Sequence, residues 1–249
     1  MTKPAASLPP IAGYHPTTLI DWPGRLAAIV FLPQCNLRCR FCHASSMLAP
    51  PDEEIPLDAV LSHMAERSGW LDGVVICGGE PTVWPTLAPL CETFRRRGLA
   101  VKLDTNGTNP DHLADLLRAG LVDAVAMDLK APLDERYPQV CGAATDVRAI
   151  ERSVDLLMSG RVEYEFRTTV CPTFIGEPEI HAMGLRIAGA RRWVLQRFEP
   201  AYALDPDLRC VKPYDVGTME RLATLGRRYV PRCVVRGQPA KEPLPAPQA

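Results

Sequence analysis

The feature that most constrains this chain is a group of three cysteines in one short segment. Cys35, Cys39 and Cys42 lie within eight residues, directly after the apolar run 26–32. A loop of this length can wrap three thiolates around one compact object, and iron–sulfur cubes are held by thiolates at such close spacings. Because the loop has no fourth cysteine, one iron of the cube stays open to a small molecule. The spacing therefore predicts an iron–sulfur site.

Three other kinds of site match part of the same segment. The stretch 39–43 matches the attachment motif for c-type haem, but residues 1–10 contain no apolar export segment. A Cys₃His zinc site needs Cys42 and His43 on one ion, although adjacent side chains in extended backbone point apart. A thioredoxin-like Cys-x-x-Cys motif leaves Cys35 unused. The cube is favoured, and zinc is the next alternative.

Composition limits the class of protein. The 249 residues are 47% hydrophobic and 23% charged, which is ordinary for a soluble globular protein. The net charge of −1 gives no reason to expect nucleic acid or an anionic membrane as a partner. No apolar stretch approaches the ~18 residues of a membrane span. The nine cysteines favour metal binding or reduced thiols over disulfides. We expect a cytoplasmic protein.

Strand and helix patterns alternate along the chain. Apolar runs predict strands at 26–32, 73–77, 100–104, 122–128, 162–170 and 192–198, and a short extra strand at 232–236. Amphipathic segments predict helices at 57–68, 85–97, 111–119, 146–158, 177–188 and 215–229. This alternation is typical of an α/β fold, a parallel sheet with helices outside. Right-handed crossovers allow either an open doubly wound sheet or a barrel. Six units are fewer than the eight of a closed barrel, and we predict a partial (β/α)6 TIM-like barrel.

The domain organisation follows from proline content and periodicity. Residues 1–16 contain four prolines and little periodicity, which predicts an irregular N-terminal arm. Residues 17–237 form the predicted barrel domain. Residues 238–249 have the composition of a disordered, proline-rich tail.

Polar residues follow the predicted strands at the points where they end. Gly78, Gly79, Glu80 and Pro81 come after the second strand, Asp104, Thr105 and Asn106 after the third, and Asp128 and Lys130 after the fourth. The carboxyl ends of parallel strands form the ligand site in both open sheets and barrels. Each residue alone also has an ordinary structural explanation, such as a turn or a cap. Together with the cysteine loop they predict one site.

Arg167 lies in the middle of the fifth predicted strand, where a charge without a partner is costly. We expect a partner for its guanidinium, with Glu163 or Glu165 as structural candidates. The six other cysteines show no ligand spacing and are interpreted as small buried hydrophobic residues: Cys77, Cys91, Cys141, Cys171, Cys210 and Cys233.

The cysteine motif followed by Gly-Gly-Glu-Pro resembles the radical S-adenosylmethionine (SAM) superfamily. More narrowly, the chain is similar to the activating proteins of glycyl radical enzymes, above all those of anaerobic ribonucleoside-triphosphate reductase. Supporting segments are 19–24, 35–43, 104–107, 127–130, 166–169 and 195–196, and the similarity runs from about Thr17 to Gly237. Two positions depart from the family pattern. Gln34 replaces an expected glycine, and Ala44 replaces the usual asparagine.

The resemblance implies a [4Fe–4S] cluster on Cys35, Cys39 and Cys42, whose fourth iron binds the methionine part of SAM. The implied SAM-binding residues are Phe41 near the adenine, Gly78, Gly79, Glu80 and Pro81 at the amino group, Lys130 at the carboxylate, and Asp104, Thr105, Asn106, Asp128 and Arg167. Asp104, Thr105, the Met127 carbonyl and Asp128 match positions that bind a monovalent cation in related activating proteins.

The resemblance also implies the partners. A reduced flavodoxin or ferredoxin would supply one electron, SAM would be cleaved, and the resulting 5′-deoxyadenosyl radical would take hydrogen from a glycine Cα of the partner enzyme. Two alternatives stay open from the sequence. One is a radical SAM enzyme that acts on a small molecule or a modified nucleoside, and the other is a non-catalytic zinc or thiol protein.

Overall fold

The computed structural model describes residues 7–67, 69–160 and 162–237. In this part of the chain eight strands form one sheet in sequence order. They are β1 (Gly13–Thr18), β2 (Ala27–Leu32), β3 (Gly73–Gly78), β4 (Ala100–Thr105), β5 (Ala124–Asp128), β6 (Glu163–Val170), β7 (Trp193–Arg197) and β8 (Cys233–Arg236). β1 pairs antiparallel with β2, and all later neighbours pair in parallel.

Seven α-helices lie between these strands in the described residues. They are α1 (Leu57–Ala65), α2 (Leu87–Arg95), α3 (Pro110–Arg118), α4 (Arg136–Cys141), α5 (Val147–Met158), α6 (Glu177–Arg186) and α7 (Val216–Gly226). Short 3₁₀ turns cover 45–48, 81–83, 200–202 and 206–210. None of the helices in this part of the chain has the length and apolarity needed to cross a membrane.

The strand order confirms the predicted partial barrel. A doubly wound sheet reverses its strand order at one point, whereas this sheet runs from β1 to β8 without reversal. Since parallel crossovers are right-handed, a sheet that grows in one direction places its helices on one face. β1 and β8 are the two edges, so the barrel stays open between them.

Two segments differ from the sequence prediction. The predicted irregular arm 1–16 is wrong at its end, because residues 13–16 belong to β1, where Gly13 pairs with Phe31 of β2. α4 was not predicted, because it is only six residues long and contains Pro138. Residues 1–6 and the predicted disordered tail 238–249 lie outside the described residues.

The inner face of the sheet carries a small apolar cluster around Trp22. The side chain of Trp22 is 2% exposed and packs with Ala27, Ile29, Val75 and Ala124. Most of these residues stand at or near the beginnings of their strands, so Trp22 fills the barrel interior at that end. The opposite end, where the strands finish, is left for a cavity.

Candidate functional site

A cavity of about 290 Å³ lies at the carboxyl ends of the strands. Thirteen of the predicted site residues line it: Cys35, Cys39, Phe41, Cys42, Gly78, Gly79, Glu80, Asp104, Thr105, Asn106, Asp128, Lys130 and Arg167. Pro81 follows them as a buried residue at the start of a 3₁₀ turn. Four separate loops therefore meet at one place, as the strand-end argument predicts.

Sequence reasoning missed several residues that line the same cavity. Asp21 reaches it from the loop between β1 and β2, and Cys77, Thr169 and Gln196 reach it from β3, β6 and β7. Cys77 was interpreted only as a small buried residue, and this was incomplete. The alternation of side chains along a strand could have found one of them, since Thr169 stands two residues beyond Arg167 on the same face of β6.

The cysteine loop is held in place by α4. The backbone N–H of Arg38 donates to the carbonyl of Cys141 at 2.8 Å, and that of Arg40 donates to the carbonyl of Val140 at 3.2 Å. These carbonyls lie at the carboxyl end of α4, where helix carbonyls lack partners within the helix. The unpredicted helix thus positions the three predicted ligands, and Cys141 is more than a buried hydrophobic residue.

The three thiols of the loop differ in acidity. Burial raises the pKa of Cys35 to about 11 and also raises that of Cys42. A hydrogen bond from the thiol of Cys141 lowers the pKa of Cys39 to about 7. The thiolate is the form that binds metal, and Cys39 is the thiol of this loop whose pKa is lowered towards it.

The donor set fits an iron–sulfur cube. Each of the nine cysteines, all of which lie in the described part of the chain, is reduced. Across residues 7–67, 69–160 and 162–237, no three His, Cys, Asp or Glu side chains are grouped around a single metal-ion position. A cube binds each of its thiolates through a different iron, and the three thiols here line one cavity from one loop. Cys35, Cys39 and Cys42 would hold such a cluster.

Gly78 and Gly79 pack directly against the cysteine loop. A Cβ at Gly78 would lie 2.2 Å from the carbonyl oxygen of Leu32, and one at Gly79 would lie 2.0 Å from that of Gln34. The backbones are also hydrogen-bonded, with Gly79 N–H donating to Leu32 and Glu80 N–H donating to Gln34, both at 2.8 Å. Glycine is therefore required here for contact between two loops, as well as for lining the cavity.

Glu80 joins the loop after β3 to the loop after β4. Its carboxylate is 1% exposed and accepts hydrogen bonds from Thr82 N–H (3.1 Å), Thr82 Oγ1 (2.5 Å), Thr105 Oγ1 (2.7 Å) and Asn106 N–H (2.6 Å). Asn106 in turn donates its side-chain amide to Asn36 in the cysteine loop at 2.9 Å. Both carboxylate oxygens of Glu80 are used within the protein, so its side chain is a positioning group.

In the structure Arg167 pairs with residues other than those expected from the sequence. Its guanidinium donates to Asp128 at 2.8 Å and to Asp104 at 2.5 Å. The prediction of Glu163 or Glu165 is wrong. Asp128 stands directly across from Arg167 in the β5–β6 register, whereas Glu165 pairs with arginines outside the site, Arg192 and Arg236.

Lys102 and Lys130 complete a buried network with these groups. Lys102 Nζ lies 2.5 Å from Asp104, and Lys130 Nζ lies 3.2 Å from Asp128 and 5.9 Å from the centre of the Phe41 ring. Burial opposes ionisation of Asp128, but Arg167 and Lys130 outweigh it and lower its pKa to about 2. Burial likewise tends to lower the pKa of Lys130, and Asp128 raises it well above its usual value. Asp128 and Lys130 are therefore both charged near pH 7.

The residues predicted to bind a monovalent cation do not fit one. Both oxygens of Asp104 and both oxygens of Asp128 accept hydrogen bonds from Lys102, Arg167 or Lys130. The hydroxyl of Thr105 donates to Glu80 and accepts from the Gly107 N–H. The side-chain oxygens that would coordinate an alkali ion are thus already bound.

Comparison with known proteins identifies the class to which this site belongs. The profile of the Radical SAM superfamily matches residues 29–184, well over half of the chain, and this protein belongs to that superfamily. Its members use a [4Fe–4S] cluster and SAM, in agreement with the three thiols that line the cavity. The protein is a radical SAM enzyme.

Individual relatives are similar along much of the chain. It is 26% identical over 231 residues to a proposed glycyl-radical enzyme activating enzyme of Methanocaldococcus jannaschii, a match that covers 91% of this chain and 95% of that protein. It is 24% identical over 167 residues to the pyruvate formate-lyase-activating enzyme of Clostridium pasteurianum, covering 65% and 68%.

A solved structure shares the fold. A domain of the pyruvate-formate lyase-activating enzyme from Bacteroides vulgatus superposes with a TM-score of 0.54 at 16% identity, covering 66% of this chain and 99% of that domain. The likeness agrees with the partial barrel derived from the strand order.

Proposed function

We propose that this protein is an activating enzyme that generates a glycyl radical on a partner enzyme, and that the partner is an anaerobic ribonucleoside-triphosphate reductase. The observation that carries the activating role is the match to the M. jannaschii protein, which spans nearly the whole of both chains. Because that match includes the residues around the cavity as well as the helices outside the sheet, it supports a shared function more strongly than the cysteine motif alone. The reductase is proposed as the partner on the resemblance of the sequence segments described above.

The residues of the cavity have distinct roles in this proposal. Cys35, Cys39 and Cys42 hold the cluster, which when bound supplies the electron that cleaves SAM. Lys130 offers a buried ammonium group to the SAM carboxylate. Gly78 and Gly79 offer backbone groups to the amino end, and Phe41 offers a ring face near the adenine. The protein binds and orients SAM and keeps water from the reactive carbon.

The mouth of the cavity supports a protein substrate. Leu19 and Ile20 are 68% and 74% exposed and directly precede Asp21, which lines the cavity. Two adjacent exposed apolar side chains beside the cavity offer a contact for an apolar segment of a partner. A glycine-bearing loop of the partner could pack against them and reach the cavity.

The test is to form the radical from purified components under anaerobic conditions. The protein is loaded with iron and sulfide, and then mixed with SAM, reduced flavodoxin or ferredoxin, and the reductase. We expect a glycyl radical signal in electron paramagnetic resonance and one 5′-deoxyadenosine per radical. A reductase in which the acceptor glycine is replaced by alanine should show no such signal.

Variants of the activating protein separate loss of the cluster from loss of the partner. Cys39→Ala should load no cluster and cleave no SAM. Cys91→Ala, which changes a buried cysteine of α2, should load the cluster and cleave SAM like the parent protein. If the parent protein cleaves SAM but forms no radical on the reductase, the proposed partner is wrong. If it also forms none on other glycyl radical enzymes, a small-molecule substrate takes its place.

A further inference from the structure

Arg167 contacts both of the aspartates at which the family resemblance implies a monovalent cation. Its Nε donates to one oxygen of Asp128 and its terminal nitrogen to one oxygen of Asp104, so a single guanidinium bridges both carboxylates. The two remaining oxygens are bound by Lys130 and Lys102. The bridge joins the carboxyl ends of β4 and β5 to the middle of the neighbouring strand β6.

The charges of this network leave no place for an added cation. Three positive side chains surround two carboxylates, and the side chains of Arg167, Lys102 and Lys130 are 12%, 3% and 11% exposed. An alkali ion could bind only by displacing one of them, which would leave a buried charge without its partner. Breaking a buried pair in this way is strongly unfavourable. Arginine also stays protonated at any pH at which proteins fold.

We propose that Arg167 takes the place of a monovalent cation in this protein. Its guanidinium neutralises Asp104 and Asp128 and holds β4, β5 and β6 at the spacing that the SAM site needs. A covalently attached cation cannot dissociate, so SAM binding does not depend on K⁺ or Na⁺. The proposal goes beyond the activation of a partner enzyme and is independent of which substrate the radical attacks.

The first test compares ions on the unaltered protein. Thermal unfolding of the protein without cluster is measured in KCl, NaCl and tetramethylammonium chloride at equal ionic strength. The cluster-loaded, reduced protein is titrated with SAM in the same salts, and binding is followed by electron paramagnetic resonance. We expect unfolding temperatures that agree within about 1 °C and dissociation constants that agree within about twofold. Binding of SAM more than about tenfold tighter in K⁺ or Na⁺ would overturn the proposal.

The second test removes the guanidinium. Arg167→Gln should unfold at a lower temperature and regain part of the loss in K⁺ or Na⁺, because the vacated carboxylate oxygens can then hold an ion. The unfolding temperature of Arg167→Lys should not depend on K⁺ or Na⁺, because the lysine still supplies a positive charge. Arg192→Gln, which changes an arginine paired with Glu165 away from the cavity, is the matched control and should not respond to K⁺ or Na⁺.

A folded Arg167→Gln protein whose unfolding temperature is the same with and without K⁺ or Na⁺ would also overturn the proposal, because Arg167 would then be an ordinary structural arginine. If this variant fails to fold, the comparison of salts on the unaltered protein decides the question without it.

Discussion

At the scale of single residues, the most informative position is Gln34. The family pattern has glycine here, and the structure shows why, since the backbone φ of Gln34 is +69°. Among the described residues it is the only non-glycine residue with positive φ. The side chain is exposed, and the carbonyl accepts a hydrogen bond from Glu80 N–H. The chain tolerates the left-handed conformation because the loop contacts on both sides require it.

Gln34→Gly should therefore stabilise the protein. A left-handed conformation costs a residue with a side chain about 1 kcal/mol, and part of this is returned as backbone entropy lost by glycine. We expect the free energy of unfolding in urea to rise by about 0.5 kcal/mol. Gln139→Gly in α4 is the matched control and should lower it by about 1 kcal/mol. A destabilised Gln34→Gly protein would show that the side chain of Gln34 makes a contact that matters.

Glu80→Gln tests the carboxylate that joins two loops. An amide can accept with one atom only, so at least one of the four bound donors loses its partner. We expect a loss of about 1–3 kcal/mol in the free energy of unfolding, together with weaker SAM binding, because the loops after β3 and β4 lose their common anchor. Glu92→Gln, at an exposed pair on α2, should change neither quantity. Normal SAM binding by Glu80→Gln would contradict the positioning role.

At the scale of elements, ion pairs reinforce the backbone pairing of β4, β5 and β6 beside the cavity. Each strand contributes one charged side chain to the bridge, namely Asp104, Asp128 and Arg167. The contribution of this network to stability depends on pH, because the carboxylates are charged only above their lowered pKa values.

Asp128→Asn should reveal this dependence. The pKa of Asp128 is about 2 in the folded protein and 3.8 without the protein environment. Because its pKa is lower in the folded state, the ionised carboxylate stabilises that state fully above about pH 4. This contribution disappears as pH falls through about 2. At about 1.4 kcal/mol per unit, the parent should exceed the variant by about 2 kcal/mol in free energy of unfolding at pH 6.

The measurement is urea unfolding of both proteins from pH 6 down to pH 2. The difference between parent and variant should shrink steadily below about pH 4. Asp115→Asn is the control, since this exposed residue pairs with Arg118 on the surface of α3 and should differ little from the parent throughout. If the free energy of unfolding of Asp128→Asn still lies below that of the parent at pH 2, packing and not charge causes the difference.

At the scale of the whole molecule, the open barrel depends on how its interior is filled at the end away from the site. Trp22 performs this role from the loop between β1 and β2. Gly73 at the start of β3 makes room for it, since a Cβ there would lie 2.8 Å from the indole ring and 2.7 Å from the Ala100 carbonyl oxygen. Trp22, packed against Gly73, thus closes the barrel interior below the cavity.

Trp22→Ala should destabilise the whole protein. Removing a buried tryptophan leaves a cavity that the small residues around it cannot fill, which costs about 3–5 kcal/mol in free energy of unfolding. Trp70→Ala, at a tryptophan that is 75% exposed, is the matched control and should change the value by less than about 0.5 kcal/mol. Both are measured by urea unfolding. Equal effects of the two substitutions would contradict the role assigned to Trp22.

The local order of the chain was readable from its sequence. Apolar runs and helix periodicity predicted β2 to β8 and six of the helices, and the strand-end argument predicted that the cysteine, glycine and aspartate segments meet. These features depend only on the spacing of residues along the chain, so they can be predicted without a structure. β1 and α4 were not predicted because each contains a proline, Pro16 or Pro138, and α4 is only six residues long.

Tertiary structure alone decided which groups become partners. Arg167 has glutamates two and four residues away on its own strand, yet it bonds to aspartates 39 and 63 residues away. Cys141 was one of six cysteines without ligand spacing, and α4 brings it to Cys39. Sequence distance does not determine which side chains meet across a sheet. The register between strands does, and it is set by the packing of the whole molecule.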